Sequence, residues 1–323
     1  MDRPVLLDLT SPVRAGEEVD VAPLSRFLGE PATIEQFPHG HSNLVYLVRT
    51  KDREYVMRRP PLGPVAPKAH DMVREFRVLK ALNPYFPESP RVWRVCEDSA
   101  VIGAPFFLME RRHGVVIRGT APTRAACEAF IDCYVRLHAI DVTTPEVAAL
   151  GRPEGFVERQ VRGWSERWVR ARTEESPRMD RVVSWLGERL PGSGAPTIVH
   201  NDFKFDNTMF TPALDRVEAV LDWEMTTLGD PLADIGLTLC YWATEAAGVF
   251  SRDEFVERYA RKTGRDVSGL AYYEVLGIFK LAVILQQIYL RYRNGQTQDE
   301  RFRDLDERVR GLIDWAFEKT EGA

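Results

Sequence analysis

The residues that could do chemistry gather in two short stretches. His200-Asn-Asp-Phe-Lys-Phe-Asp-Asn207 follows directly on the apolar Thr197-Ile-Val199, and a second apolar run, Val217-Glu-Ala-Val-Leu221, ends in Asp222. An Asp, an Asn five residues on and an Asp closing the next strand are the set that phosphoryl transfer needs. Asp202, anionic at neutral pH, can accept a hydrogen bond from an attacking hydroxyl and act as its base. Asn207 offers a neutral carbonyl oxygen and Asp222 a carboxylate, hard ligands suited to Mg2+ on a triphosphate. A D-x-x-x-x-N string by itself arises by chance in loops. The preceding strand, His200 two residues before Asp202, and a second strand delivering Asp222 lift it above chance.

Around this core stand second-tier candidates. Lys204 could contact the transferring phosphoryl group as a point charge; a solvated loop lysine is the competing reading. His200 and Asp206 read as braces of the loop rather than reacting groups. Glu224 falls close enough to Asp222 in sequence to reach a second ion. Lys280 stands alone among apolar residues in Tyr272-Tyr-Glu-Val-Leu-Gly-Ile-Phe-Lys280. It would suit an anionic substrate such as a carboxylate or CoA phosphate, unless it snorkels from a helix edge.

A nucleotide must then be held by the N-terminal third. Pro38-His-Gly-His-Ser-Asn43 links two apolar runs; Gly40 would let backbone approach phosphate, and Ser42 offers a hydroxyl and an N–H. The stretch lacks G-x-G-x-x-G, so an ordinary hairpin turn competes. Alternation along Tyr55-Val-Met-Arg58 puts Val56 and Arg58 on one face. Val56 is then expected against the base and Arg58 against the α/β-phosphates. Glu75, on the following helix, can anchor that cation, or else is an exposed helix glutamate beside Arg74.

The elements needed to position these groups are legible. Residues 19–29 read as a short helix ended by Gly29, followed by strands at Thr33–Phe37, Leu44–Val48 and Glu54–Arg58. Pro60, Pro61, Pro64 and Pro67 mark an irregular loop before a helix at about residues 68–82, with Met72, Phe76, Leu79 and Leu82 at helical spacing. Strands at 91–96 and 105–110 complete a β-rich region. After Arg111-Arg-His-Gly114 the pattern turns helical: 123–140, 153–172 and 177–190. The Met209–Leu221 hairpin follows, then helices at about 230–247, 253–263, 268–293 and 299–319. The expected architecture is α+β and two-lobed: a small antiparallel nucleotide-binding lobe, 1–110 with 1–18 an extended lead-in, and a larger helical catalytic lobe, 111–323.

Composition narrows the classes. The chain has 323 residues, 44% hydrophobic and 28% charged, with net charge −5, which is globular composition without the basic footprint of nucleic-acid binding. No uninterrupted apolar run approaches the about 18 residues of a membrane span. The charged N-terminal stretch does not read as a signal peptide, so a cytoplasmic location is expected. The four cysteines, Cys96, Cys127, Cys133 and Cys240, form no C-x-x-C pair and read as reduced core thiols. The six histidines show no zinc spacing.

Val199-His-Asn-Asp-Phe-Lys-Phe-Asp-Asn-Thr-Met-Phe210 resembles the catalytic loop of the aminoglycoside phosphotransferase-like kinases, relatives of choline kinase with a protein-kinase-like fold. Leu221-Asp-Trp-Glu-Met-Thr-Thr-Leu-Gly-Asp-Pro-Leu-Ala-Asp-Ile-Gly236 resembles their metal-binding segment and following helix. His39-Gly-His-Ser-Asn43, Met57-Arg-Arg-Pro-Pro61 and Leu221-Asp-Trp-Glu224 are similar to the branch fused to, or encoded with, acyl-CoA dehydrogenases. The resemblance runs from about residue 20 to 320. It implies Asp202 as base, Asn207 and Asp222 as Mg2+ ligands, and Ser42 in the phosphate loop. It also implies Glu110 and Arg112 at a hinge whose backbone meets adenine. The donor implied is ATP, with GTP left open. The acceptor implied is a hydroxyl on a small organic acid or its acyl-CoA thioester, with a functional link to an acyl-CoA dehydrogenase. Two departures stand out: Arg58, with Arg59 beside it, replaces the usual third-strand lysine, and Asp222-Trp223-Glu224 replaces D-F-G.

Three other readings meet obstacles in the residues. Only Trp223 to Leu228 separates Asp222 from Gly229-Asp-Pro231, which leaves no activation segment for a protein substrate. An aminoglycoside kinase would want an acidic cleft for its polycationic acceptor, yet from Gly248 onward there are 13 Asp/Glu and 13 Lys/Arg. A nucleotide-binding pseudokinase would be expected to lack a base or metal ligand, and all three residues are present.

Overall fold

Leu44, Tyr46 and Val48 face one way along their strand while Val45 and Leu47 face the other, and this alternation organises the N-terminal part. In a computed structural model of the chain, residues 5–6, 9–38, 43–62, 70–192, 194–297 and 299–322 are described. In chain order the elements are β1 (Val5–Leu6), α1 (Val21–Leu28), β2 (Thr33–Gln36), β3 (Leu44–Arg49), β4 (Glu54–Arg59) and α2 (Met72–Leu82). Then follow β5 (Val92–Cys96), β6 (Phe106–Met109), β7 (Val115–Val116), α3 (Arg124–His138), α4 (Pro145–Ala148), α5 (Phe156–Ala171) and α6 (Pro177–Glu188). The rest are β8 (Thr197–Val199), β9 (Thr208–Phe210), β10 (Val217–Val220), β11 (Thr227–Gly229), α7 (Pro231–Glu245), α8 (Arg252–Thr263), α9 (Leu270–Arg293) and α10 (Leu305–Glu321).

The chain divides into two compact units. The first comprises residues 1–140, 144–150 and 205–226. Its antiparallel sheet runs β2-β3-β4-β6-β5. One sheet face carries Tyr46, Val48, Met57, Phe106 and Leu108 against Leu24 and Phe27 of α1. The opposite face carries Phe107, which meets Phe76 of α2 edge-on at 6.3 Å. Asp20 caps α1 through the Ala22 N–H, and Gly29 ends it in the left-handed region at φ 84°, where glycine has no Cβ penalty. A second sheet, β1-β7-β9-β10, completes the unit.

That second sheet moves the boundary read from sequence. The expected line at 110/111 falls inside the first unit, because β7 pairs with β9 and Phe205 stacks on Phe130 of α3 at 4.7 Å. Strands of two or three residues carry no periodicity of their own, so β1, β7 and β11 escaped a reading built on alternation.

The second unit comprises residues 141–143, 151–204 and 227–323. Its β8 and β11 pair antiparallel, and the rest is helical. Helices α7 and α9 cross at Gly236 and Gly277: a Cβ on Gly277 would lie 2.7 Å from the Gly236 carbonyl oxygen, and one on Gly236 would run into the Tyr273 carbonyl. Gly236→Ala is therefore expected to destabilise the protein by about 1–3 kcal/mol through overpacking, read as a lower urea midpoint; an unchanged midpoint would show that the crossing can simply widen. Helix α9, at 24 residues, is long and apolar enough by composition to cross a membrane, which corrects the expectation drawn from uninterrupted apolar runs. Its most apolar window is 67% buried within the chain, and Glu274, Lys280 and Gln286 are buried along it, the pattern of a core helix.

Candidate active site

In the first unit, strand alternation sends Arg58 to the face of the sheet that meets α2. Its Nε lies 2.9 Å from Glu75 Oε2, and its Nη2 donates to Asp222 Oδ1 at 2.6 Å. Arg59 points the other way and donates to the Ile102 carbonyl, so of the two arginines it is Arg58 that meets the carboxylates. Glu75 is buried rather than exposed beside Arg74, and Glu75 Oε1 also accepts from the Trp223 N–H at 3.2 Å. Burial would lower the Arg58 pKa, but Glu75, Asp222 and Glu224 more than offset it and hold the guanidinium charged. Burial raises Glu75 to about 7 against the pull of Arg58.

Asp222 and Asn207 come together through the β9–β10 hairpin. Thr208 faces Val220 across it, and the next step outward is a bond from the Leu221 N–H to the Asn207 carbonyl at 2.8 Å. Asp222 itself sits at φ 67°, a left-handed conformation uncommon outside glycine but tolerated by Asp. Trp223 beside it is buried, edge-on to Phe86 at 5.8 Å. Both Asn207 and Asp222 bring oxygen donors to one hairpin end, which fits Mg2+: that ion takes one or two protein ligands and fills its octahedron with water and phosphate. Among the described residues no group of three or more His, Cys, Asp or Glu forms an alternative metal cluster.

Glu224 accepts from Asn43 Nδ2 at 3.1 Å and lies 3.3 Å from His70 Nδ1. Burial opposes its charge, yet His70, Arg58 and Asn43 together hold its pKa below the usual value. Arg74 donates to the Glu224 and Thr226 carbonyls, fastening the segment after Asp222 to α2. Val56 is buried on β4 opposite Met109. Glu110 exchanges bonds with Arg91, accepting at 2.6 Å on its side chain and donating its N–H at 2.8 Å. Arg112 pairs with Glu110 at 2.7 Å and donates to the Pro87 carbonyl; these side chains hold the segment leaving β6. Gly40 and Ser42 lie outside the described residues. Asp206 accepts from Arg118 at 3.0 Å, a brace as expected.

In the second unit, the loop after β8 is held by one face of α7. Asp234 accepts from the His200 and Asn201 N–H groups, both at 2.7 Å. Thr238 Oγ1 donates to the Phe203 carbonyl at 2.8 Å, and the Tyr241 hydroxyl donates to Asp202 Oδ1 at 3.2 Å. Positions 234, 238 and 241 follow helical spacing and so share a face. Burial and Asp202 push the Tyr241 pKa well above its ordinary value, keeping it a donor. Lys204 Nζ pairs with Asp202 at 2.9 Å and lies 5.2 Å from the centre of the Tyr241 ring. It is thus bound to the carboxylate, not adrift in solvent. His200 Nδ1 accepts from the Asp202 N–H at 3.2 Å.

Lys280 departs from its expected place. It is 2% exposed, and Nζ donates to Asn201 Oδ1 at 2.9 Å, so it neither snorkels nor presents its charge at the surface. The sequence reading also assigned no role to Asp234, Thr238, Tyr241, Asn201, Asn43 or His70. For the first three a signal existed: polar residues recurring four and three apart in the otherwise apolar Pro231–Glu245 helix. Asn43 and His70 flank undescribed segments and carry no periodic signal.

The model of the phosphotransferase enzyme family matches residues 33–273. Acyl-CoA dehydrogenase family member 10 of Mus musculus is 32% identical over 345 residues, covering 99% of this chain and 32% of its own length. This chain therefore spans about a third of that relative. A Ralstonia eutropha JMP134 protein provisionally assigned as an aminoglycoside phosphotransferase is similar at a TM-score of 0.82 and 29% identity, covering 95% of this chain and 99% of its own. The aminoglycoside phosphotransferase APH(4)-Ia, solved as a thermostable mutant with AMP-PNP and hygromycin B, shares the fold at a TM-score of 0.58 and 17% identity, over 94% and 96% of the two chains. The fold is accordingly the α+β, protein-kinase-like one that the motifs implied. The chain belongs to the phosphotransferase enzyme family.

Proposed function

We propose that the chain is a small-molecule kinase that moves the γ-phosphoryl group of ATP to a hydroxyl of a hydroxy acid or its acyl-CoA thioester. The observation that carries this reading is the aimed carboxylate of Asp202. Lys204 and Tyr241 fix its oxygens, and α7 fixes the backbone of His200 and Asn201 just before it, as a base needs if it is to meet a hydroxyl in one orientation. Asp202 takes the hydroxyl proton as the new O–P bond forms and the bond to the ADP oxygen breaks. Asn207 and Asp222 would hold Mg2+, and Arg58, kept in place by Glu75, would pair the phosphates. The bound ion supplies charge neutralisation at the transferring group. ATP as donor is supported by the AMP-PNP complex of the APH(4)-Ia neighbour. The acyl-CoA acceptor is supported by the dehydrogenase relative and by the balanced charge after Gly248.

The test is a panel of hydroxy acids, hydroxyacyl-CoA thioesters and aminoglycosides, incubated with MgATP and followed by ADP release and phosphorus NMR. A phosphorylated hydroxy acid or thioester is expected. Phosphorylated aminoglycosides alone would transfer the chain to the antibiotic kinases. Tight MgATP binding without any phosphorylated product would favour a regulatory pseudokinase. Asp222→Ala should weaken Mg2+-dependent nucleotide binding about tenfold or more, since a charge-assisted contact is worth roughly 1.5–3 kcal/mol. Calorimetric titration with and without Mg2+ measures this, and an unaltered metal dependence would remove Asp222 from the ligand set.

A further inference from the structure

Lys280 on α9 is a buried cation, 2% exposed, and its one identified hydrogen bond goes to Asn201, the residue immediately before Asp202. Asn201 is held at φ 65°, a left-handed backbone that Asn adopts more readily than most residues yet still at a cost. Its N–H is taken by Asp234 and its side-chain oxygen by Lys280, so backbone and side chain are both held immediately before Asp202. The ammonium also lies 5.8 Å from the centre of the Trp164 ring of α5, a cation–π distance. Burying an ammonium is costly, and an apolar residue of the same length would fill the space between α5, α7 and α9 without that cost. The cation therefore calls for a reason other than packing.

We propose that Lys280 is a positioning residue for the base: by gripping Asn201 Oδ1 it locks the strained peptide that aims Asp202. The proposal rests on the reading of Asp202 as a base and adds to it the device that sets the base's direction. Charged and titratable groups face Lys280 from each side, Asp234 and Cys240 from α7, Asp202 from the loop and Arg167 from α5. Burial lowers its pKa to about 8, against the upward pull of Asp234, Asp202 and Cys240. It is thus mostly charged at neutral pH, and Asn201 receives a charge-assisted bond, stronger than a neutral one.

The test compares wild type, Lys280→Met, Asn201→Gly and the double variant. Methionine keeps the length without the charge, and glycine keeps the left-handed backbone without the amide. MgATP turnover is measured with water as acceptor, alongside hydrogen exchange of the amides of residues 200–204. Lys280→Met should stay cooperatively folded, lose about 10- to 100-fold in kcat, and hold KM for ATP within about twofold, because misaiming a base costs rate rather than nucleotide binding. The amides should exchange about tenfold faster or more, as expected when a local closure is released. The double variant should lose no more than the worse single one, since both substitutions remove one interaction. Unchanged kcat and exchange in Lys280→Met would overturn the proposal. So would losses that simply multiply in the double variant, or a KM for ATP that rises in step with the fall in kcat. If the wild type turns over no MgATP with water, the kinase reading is decided separately by the acceptor panel. Exchange then decides the role of Lys280: faster at residues 200–204 in Lys280→Met sustains the grip, and unaltered exchange refutes it.

Discussion

Asp202→Ala should bind MgATP about as tightly as the wild type while kcat falls roughly 10²–10⁴-fold, the usual worth of a general base. The expectation follows from what Asp202 touches. Its carboxylate is engaged by Lys204 and Tyr241, two donors that fix its oxygens, whereas Arg58, Glu75 and Asp222, proposed above to serve the nucleotide, form their own ion-paired group. Removing the carboxylate takes an acceptor from Lys204 and Tyr241, while Arg58 keeps its ion pairs with Glu75 and Asp222. Isothermal titration against MgATP and a turnover assay on the same preparation separate the two quantities. A folded Asp202→Ala protein that no longer bound MgATP would place Asp202 with the nucleotide and not the acceptor. Asp202→Asn is a sharper variant, since the amide keeps the shape yet cannot take the proton; it should be nearly as slow.

Asp234→Ala is expected to injure both stability and rate. One buried carboxylate accepts two backbone N–H groups, those of His200 and Asn201. A buried donor left without its acceptor costs about 1–3 kcal/mol, so two cost roughly 2–6 kcal/mol, a large share of the ~5–15 kcal/mol that holds an ordinary domain. Urea denaturation should show the midpoint falling accordingly. Any molecules that remain folded should turn over slowly, because the peptides leading into Asp202 lose their anchor. Lys280 would also lose a nearby counter-charge, adding to the cost. A stability change under about 0.5 kcal/mol, the range of an inconsequential surface substitution, would mean that the loop finds other acceptors readily.

Much of this was legible in the residues, for reasons that differ by element. The five-stranded sheet and α2 were visible because β3, β4 and β6 bury alternate residues on two faces and α2 buries a helical stripe. The pairing of Arg58 with Glu75 was foreseeable because strand parity fixes which side of β4 an arginine occupies, and the structure bears this out at 2.9 Å. The bond from Arg58 to Asp222 was not, because it joins residues 164 apart and no local pattern encodes it. Lys280 was misplaced for a general reason: a lone lysine in an apolar helix has the same sequence signature whether it escapes to solvent or is buried on a partner. What decided the matter was Asn201, on a distant segment. The grip of α7 on the loop was missed although its spacing was readable, since Asp234 and Tyr241 had no evident purpose until the loop was seen beneath them.

The first unit is discontinuous: it takes residues 1–140 and 144–150, then skips to 205–226. During synthesis, therefore, the sheet β2-β3-β4-β6-β5 can form early, but β7 has only β1 beside it until β9 arrives, and Arg58 waits for Asp222. Domains generally fold as units and from the N-terminus on the ribosome, yet here the earlier-made unit cannot close until more than two thirds of the 323 residues have emerged. In the interval Arg58 and Glu75 have only each other. The nascent chain thus passes through a stage with a preformed five-stranded sheet and no β9–β10 hairpin. A release factor acting then, or a truncation near residue 150, would leave a fragment in which the edge of β7 that β9 covers is open to association with other chains.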